Sequence, residues 1–226
     1  MVNDALVRFL GSLVLNPELA QTKTMEMDLK GNLNPSIWLN YLFFEKNCWL
    51  NFKDFYDYYW KNNQFALEKQ VPNLSPEQLK KGLEARLYRT QFGMLTEYHA
   101  FFLCKEVFGQ ENVVRHPDLD RIGVDFQIFF EQKCHHIHIF VDTKRAWHFR
   151  QIKAQYKNSN QLMGIHINVP YSLEAGRFNS LHFLLNGFGI YQKSYFEYLK
   201  NELLAQKITN DNIVATTQNG FIYKND

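Results

Sequence analysis

From Gly123 to Lys144 apolar and polar positions alternate in two successive runs. Val124, Phe126, Ile128 and Phe130 interleave with Asp125, Gln127 and Phe129, and Ile137, Ile139 and Val141 then interleave with His136, His138, Phe140 and Asp142. A period of two marks strands that turn one face to a core. The polar cluster from Glu131 to His135 is the stretch between them suited to a reversal, so the runs are predicted to pair as an antiparallel hairpin. With the turn centred on Lys133-Cys134, Asp125 falls opposite Asp142.

Before this hairpin, spacings of three and four replace the alternation. Ala5 to Leu10, Ile37 to Phe44 and Phe52 to Trp60 read as amphipathic helices rich in aromatic residues. A helical lobe over residues 1–90 that packs its own core accounts for them. The sharper alternative makes Trp49, Tyr58, Tyr59 or Trp60 a stacking surface for bases. Ser75, Pro76 and Gln78 form a capping box. The helix they open carries Lys80, Lys81, Arg86 and Arg89 and is expected to break near Gly93, before a second helix from Met94 to Phe108 that Gly109 stops. Asn112 to His116 is a short strand, and a basic helix follows Lys144. Leu162 to Val169 is a strand ended by Pro170. A bent strand within Leu181 to Tyr191, a helix from Tyr195 to Gln206 and a hairpin around Asn219-Gly220 complete the chain. The class is therefore α/β, with an α+β mixed sheet flanked by helices over 91–226 behind the N-terminal helical lobe.

Composition narrows the setting. At 226 residues and 46% hydrophobic, the chain has ample material for a packed interior. A net charge of +2 permits a nucleic-acid partner without demanding one. Cys48, Cys104 and Cys134 lie far apart with no C-x-x-C, which argues against a disulfide framework or a thiolate zinc site. No leader pattern and no apolar run of about 18 residues is present. The expected setting is cytoplasmic, with no membrane partner.

Two carboxylates on neighbouring strands, with Lys144 two residues beyond Asp142, make an acidic pocket beside one cation. Oxygen donors of this kind suit magnesium, with manganese as a substitute, and the lysine can hold a water that attacks phosphorus. Asp125 within Gly-Val-Asp, and Asp142 and Lys144 within Phe-Val-Asp-Thr-Lys, resemble the PD-(D/E)XK nuclease superfamily, with Val124 where the family has proline. The resemblance covers roughly residues 94–170. It implies a restriction-endonuclease-like core, metal-dependent hydrolysis of DNA, Asp125 and Asp142 as metal ligands, and Lys144 as the residue that positions and deprotonates water. It also implies an acidic residue from the helix before the first core strand, and chain order puts Glu97 there. A more literal spelling, Pro117-Asp118 with Glu131-Gln132-Lys133, requires a turn inside the best alternating strand, and hydrophobic register decides against it.

Arg145, Arg150, Lys153 and Lys157 lie on the helix that starts beside the pocket and are candidates for phosphate contact. Cys134, His135, His136 and His138 look like metal ligands, yet spacing marks no fourth partner. They read instead as hairpin histidines that are partly exposed or close to the catalytic face. No G-x-S-x-G, phosphate loop or dinucleotide fingerprint occurs. The expected function is a magnesium-dependent DNA endonuclease, such as a type II restriction enzyme or a repair or mobile-element nuclease. DNA is expected ahead of RNA, and a homodimer is compatible. A non-catalytic nucleic-acid-binding or assembly protein that retains the fold is the alternative.

Overall fold

A computed structural model of the chain describes residues 2–21, 29, 31–70, 74–116, 118–119, 123–157, 163–174, 180–208, 213–217 and 220–223, with the backbone alone at 2, 21, 153–157, 213–217 and 220–223. The α-helices are α1 (Val2–Ser12), α2 (Pro17–Gln21), α3 (Pro35–Asn40), α4 (Phe52–Gln70), α5 (Pro76–Phe108), α6 (Lys144–Lys157) and α7 (Lys193–Leu204). The strands are β1 (Val113–Val114), β2 (Phe126–Phe130), β3 (Lys133–Val141), β4 (Ile165–Tyr171), β5 (Leu181–Phe183), β6 (Gly189–Tyr191), β7 (Ile213–Thr217) and β8 (Gly220–Tyr223). Two units emerge: residues 8–95 with 185–188, and the remainder.

The larger unit is built on a mixed sheet in the order β1-β2-β3-β4. The first three strands are antiparallel, β4 runs parallel to β3, and α6 makes the crossover between them. The hairpin forms, but in a different register from the expected one. Its reversal lies at Glu131 and Gln132, whose φ angles of 50° and 59° put both in the left-handed region. A two-residue loop of this hand matches the natural twist of the strands it joins. Phe126 pairs with Ile137, so Asp125 falls opposite His138 rather than Asp142, and the Asp125 amide donates to Ile137 O at 3.0 Å. The displacement is four residues, an even number, and the inward set survives: Val124, Phe126, Ile128 and Ile137 are fully buried. Phe126, Ile128 and Ile137 pack with Phe101, Cys104 and Phe108 of α5, Ile167, Val169 and Tyr171 of β4, and Phe196 and Leu199 of α7.

Strand β4 does not end before Pro170 but runs through it to Tyr171. It borders the sheet, and Asp142 N donates to Tyr171 O at 2.6 Å. In a parallel ladder that makes Tyr171 a residue bonded toward β3 and its neighbour one that points away. Proline's missing amide therefore costs no bond to β3. Leu181 to Tyr191 contains two short strands, β5 and β6, paired antiparallel. Thr217 pairs with Gly220 in the C-terminal hairpin; Asn219 lies outside the described residues.

In the other unit, helices bury Leu39, Phe43, Phe55, Tyr59, Leu83 and Leu87. Of the candidate stacking aromatics only Tyr59 is a core residue; Trp49, Tyr58 and Trp60 are half-buried. The Tyr59 hydroxyl donates to Leu33 O, Trp49 stacks on Phe43 at 5.3 Å, and Tyr58 packs edge-on against Trp38 at 5.8 Å. The capping box closes reciprocally: Ser75 N donates to Gln78 Oε1 at 3.0 Å and Gln78 N to Ser75 Oγ at 3.2 Å. The expected break at Gly93 is absent, since α5 continues for 33 residues. One glycine costs a helix only about 1 kcal/mol, less than the burial of Leu87, Met94 and Leu95 around it returns. Gly109, at φ 103°, does end the helix. Among the described residues no helix is long and apolar enough to cross a membrane.

Candidate active site

Antiparallel and parallel pairing together bring the end of β1, the start of β2 and the ends of β3 and β4 to one end of the sheet. Four chain segments meet there, and each delivers a polar side chain. Glu97 projects from α5 and forms an ion pair with Arg115, which follows β1; their side chains are only 14% and 7% exposed. Arg115 Nη1 also donates to the backbone oxygen of Asp125 at 2.7 Å, and its guanidinium lies 5.1 Å from the centre of the Tyr98 ring. Burial opposes the Arg115 charge, but Glu97, Tyr98 and Asp125 outweigh it and raise the pKa above its ordinary value. Asp125 is half-buried just before β2, and its Oδ2 accepts from the Ile139 amide.

Tyr171 closes the cluster from β4. Its phenol is held neutral, first by burial and then by the negative charges of Glu97 and Asp125, partly offset by a hydrogen bond with Thr96. A phenol that feels both carboxylates shows that they share one neighbourhood.

Asp142 lies just past β3, where its Oδ1 accepts from Trp147 Nε1 at 2.6 Å. Trp147 is fixed in turn by an edge-on contact with Phe140 at 4.9 Å. Thr143 caps α6 by accepting from Ala146 N at 3.1 Å, so the exposed Lys144 stands at the first position of that helix. Arg145 is exposed and lies over Phe149 at 5.5 Å. Arg150 points the other way: it is 8% exposed and its Nε donates to Asn168 Oδ1 at 2.7 Å. Lys153 and Lys157 lie on α6, their side chains outside the described residues.

The structure thus brings Glu97 and Asp125 together and sets Asp142 and Lys144 at the same end of the sheet. Asp125 and Asp142 are not cross-strand neighbours. At about 3.3 Å per residue, Asp142 stands about 13 Å along β3 from the point opposite Asp125. The Asp125 carboxylate recovers one step of that distance by reaching the Ile139 amide. The literal alternative fails on topology: Glu131, Gln132 and Lys133 form the hairpin tip at the far end of the sheet, and Asp118 is exposed beside His116 at 3.3 Å. Asp120 lies outside the described residues.

His135, His136 and His138 are not partly exposed but buried. His138 Nδ1 meets Gly123 O at 2.8 Å and its Nε2 meets His166 Nδ1 at 2.9 Å. His136 bonds Gln127 at 3.1 Å and Met163 O at 3.2 Å. A carbonyl only accepts, so His138 carries its proton on Nδ1 and His136 on Nε2. These rings tether the segments leading into β2 and β4. Among the described residues no group of three or more His, Cys, Asp or Glu side chains is placed to hold a metal ion.

Arg115, Trp147, Tyr171 and His166 were not singled out in the sequence. His166 alternates with Asn168 on the polar face of β4, a pattern that pairs it with His136. Trp147 lies five residues after Asp142, within reach of a helix's first turn. Arg115 has no periodic signal at all.

A family model described as TaqI restriction endonuclease matches residues 4–179. The type II restriction enzyme TaqI of Thermus aquaticus is 27% identical, over 90% of this chain and 88% of its own length. The type II restriction enzyme TthHB8I of Thermus thermophilus is 29% identical, over 88% of this chain and 83% of its own. No solved structure gives a significant match. Matched across more than three quarters of its length, the chain belongs to the TaqI restriction endonuclease family.

Proposed function

We propose that this restriction endonuclease hydrolyses DNA phosphodiester bonds with magnesium, as a PD-(D/E)XK enzyme whose site is Glu97, Asp125, Asp142 and Lys144. The observation that carries the reading is the pairing of Glu97 and Asp125 through Arg115 at the sheet end to which β3 delivers Asp142. The donor type fits a hard cation, three carboxylates with no thiolate or imidazole among them, although among the described residues the three are not gathered into one group placed to hold it. Glu97 and Asp125 are the pair assigned to hold magnesium or manganese, with Asp142 as a further ligand. When bound, the metal supplies positive charge for the scissile phosphate and acidifies a water.

The chain's own groups do the rest. Lys144, exposed at the start of α6, holds the attacking water and, as the neutral amine, takes up the proton that the water gives up. Trp147 fixes the Asp142 carboxylate. Arg145 meets a backbone phosphate, and Lys153 and Lys157 extend that contact along α6. Arg150, engaged with Asn168, anchors α6 to the sheet instead. Action in the cytoplasm, as a homodimer on duplex DNA, completes the proposal.

The test is cleavage of supercoiled plasmid with magnesium and with chelator. Asp125→Asn and Asp142→Asn should each slow cleavage at least about a hundredfold, and Lys144→Ala by about 10²–10⁴, with circular dichroism unchanged. Full activity of Asp125→Asn or Lys144→Ala removes the assignment.

A further inference from the structure

Arg115 is bonded to both acidic residues assigned to the metal, through the carboxylate of Glu97 and the backbone oxygen of Asp125. Its side chain is nearly sealed from water and one face is occupied by Tyr98. A guanidinium held this way is the resident positive charge of the cluster. Any divalent cation approaching Glu97 meets an ion pair already made and a like charge beside it.

We propose that Arg115 and the divalent metal are alternative counter-ions of Glu97, so that metal loading requires Arg115 to give up that carboxylate. This rests on the metal assignment above and adds to it a positioning residue that also limits affinity. Without metal, Arg115 keeps two carboxylates from repelling one another; on loading, the cation takes over that role and the guanidinium keeps its bond to Asp125 O. An opposite charge within about 4–6 Å changes the affinity of a carboxylate for a proton by one to three powers of ten. Competition for another cation has the same origin and a similar scale.

The experiment measures Mn²⁺ binding to the DNA-free protein by electron paramagnetic resonance, at pH about 8, where carboxylates are ionised. Arg115→Gln should bind Mn²⁺ at least about tenfold more tightly than the parent yet cleave DNA more slowly at saturating metal, because the segment carrying Asp125 has lost the guanidinium's bond to its backbone oxygen. Arg115→Lys, which keeps the charge, should bind as the parent does. A purely structural role for Arg115 predicts unchanged or weaker binding in Arg115→Gln, and that result overturns the inference. Should Arg115→Gln fail to fold, the unsubstituted protein still decides: the ¹⁵N–¹H signals of the Arg115 guanidinium must change on adding Mg²⁺, and signals that stay fixed while metal binds refute competition. A parent that binds no Mn²⁺ at all removes the metal assignment itself, a different failure from equal binding by parent and Arg115→Gln.

Discussion

His99 offers the cleanest test of how far burial governs this fold. It lies on α5 with 2% of its surface exposed, and its Nδ1 finds no hydrogen-bond partner among the described residues. Burial lowers its pKa from 6.5 to about 4. The unfolded chain takes up a proton here as pH falls below about 6.5, whereas the folded chain resists until about 4. The contribution is therefore complete above 6.5 and is lost as pH falls through the interval. At about 1.4 kcal/mol per tenfold difference in proton affinity, moving from pH 8 to pH 5 costs the native state about 2 kcal/mol through this one ring. His135, lowered chiefly by its own burial, pushes the same way. Guanidinium unfolding followed by circular dichroism at both pH values reads the effect. His99→Leu should narrow the stability difference between the two by about 2 kcal/mol, while carboxylate contributions cancel between parent and variant. Equal pH sensitivity in parent and variant would show that His99 reaches water, and the argument from burial would fail.

Two further substitutions probe the frame of the site. Gly164 has φ 147°, and a Cβ there would lie 2.5 Å from His136 Nε2 and 2.7 Å from Cys134 O; Gly164→Ala should lower stability by about 1–3 kcal/mol, seen as a reduced Tm, and an unchanged Tm would contradict the close approach. Trp147→Phe retains a ring against Phe140 but removes the donor to Asp142; cleavage should slow by about 10–100-fold at unchanged Tm, and parental cleavage rates would detach Asp142 from catalysis.

The alternation of Val124, Phe126, Ile128 and Ile137 announces the hairpin because one face of it is apolar. The same pattern cannot reveal a slip of two residues in each strand, because an even shift leaves every side chain on its original face. That is why the strands were legible and the partner of Asp125 was not. The left-handed turn at Glu131-Gln132 contains no glycine, so the usual residue signal for its position is missing. Gly93 misled in the opposite direction: a local breaker lost to tertiary burial on both sides. The acidic members of the candidate site were visible as residue types with a familiar spacing. Their counter-ion was not, since the Glu97–Arg115 pair spans two elements and depends on where β1 happens to end. His136 and His138 are buried rather than partly exposed because they lie on the second face of β3, which α6 covers, as the Arg150–Asn168 bond shows.

Pro170 has a consequence for how the sheet stops growing. The outward row of β4 lacks one donor at that point, so a fifth strand laid along this border would leave a carbonyl without its bond. The C-terminal hairpin comes alongside β4 through β7 and yet remains a separate two-stranded ribbon. A proline placed there blunts strand addition from within the chain and from a neighbouring copy alike.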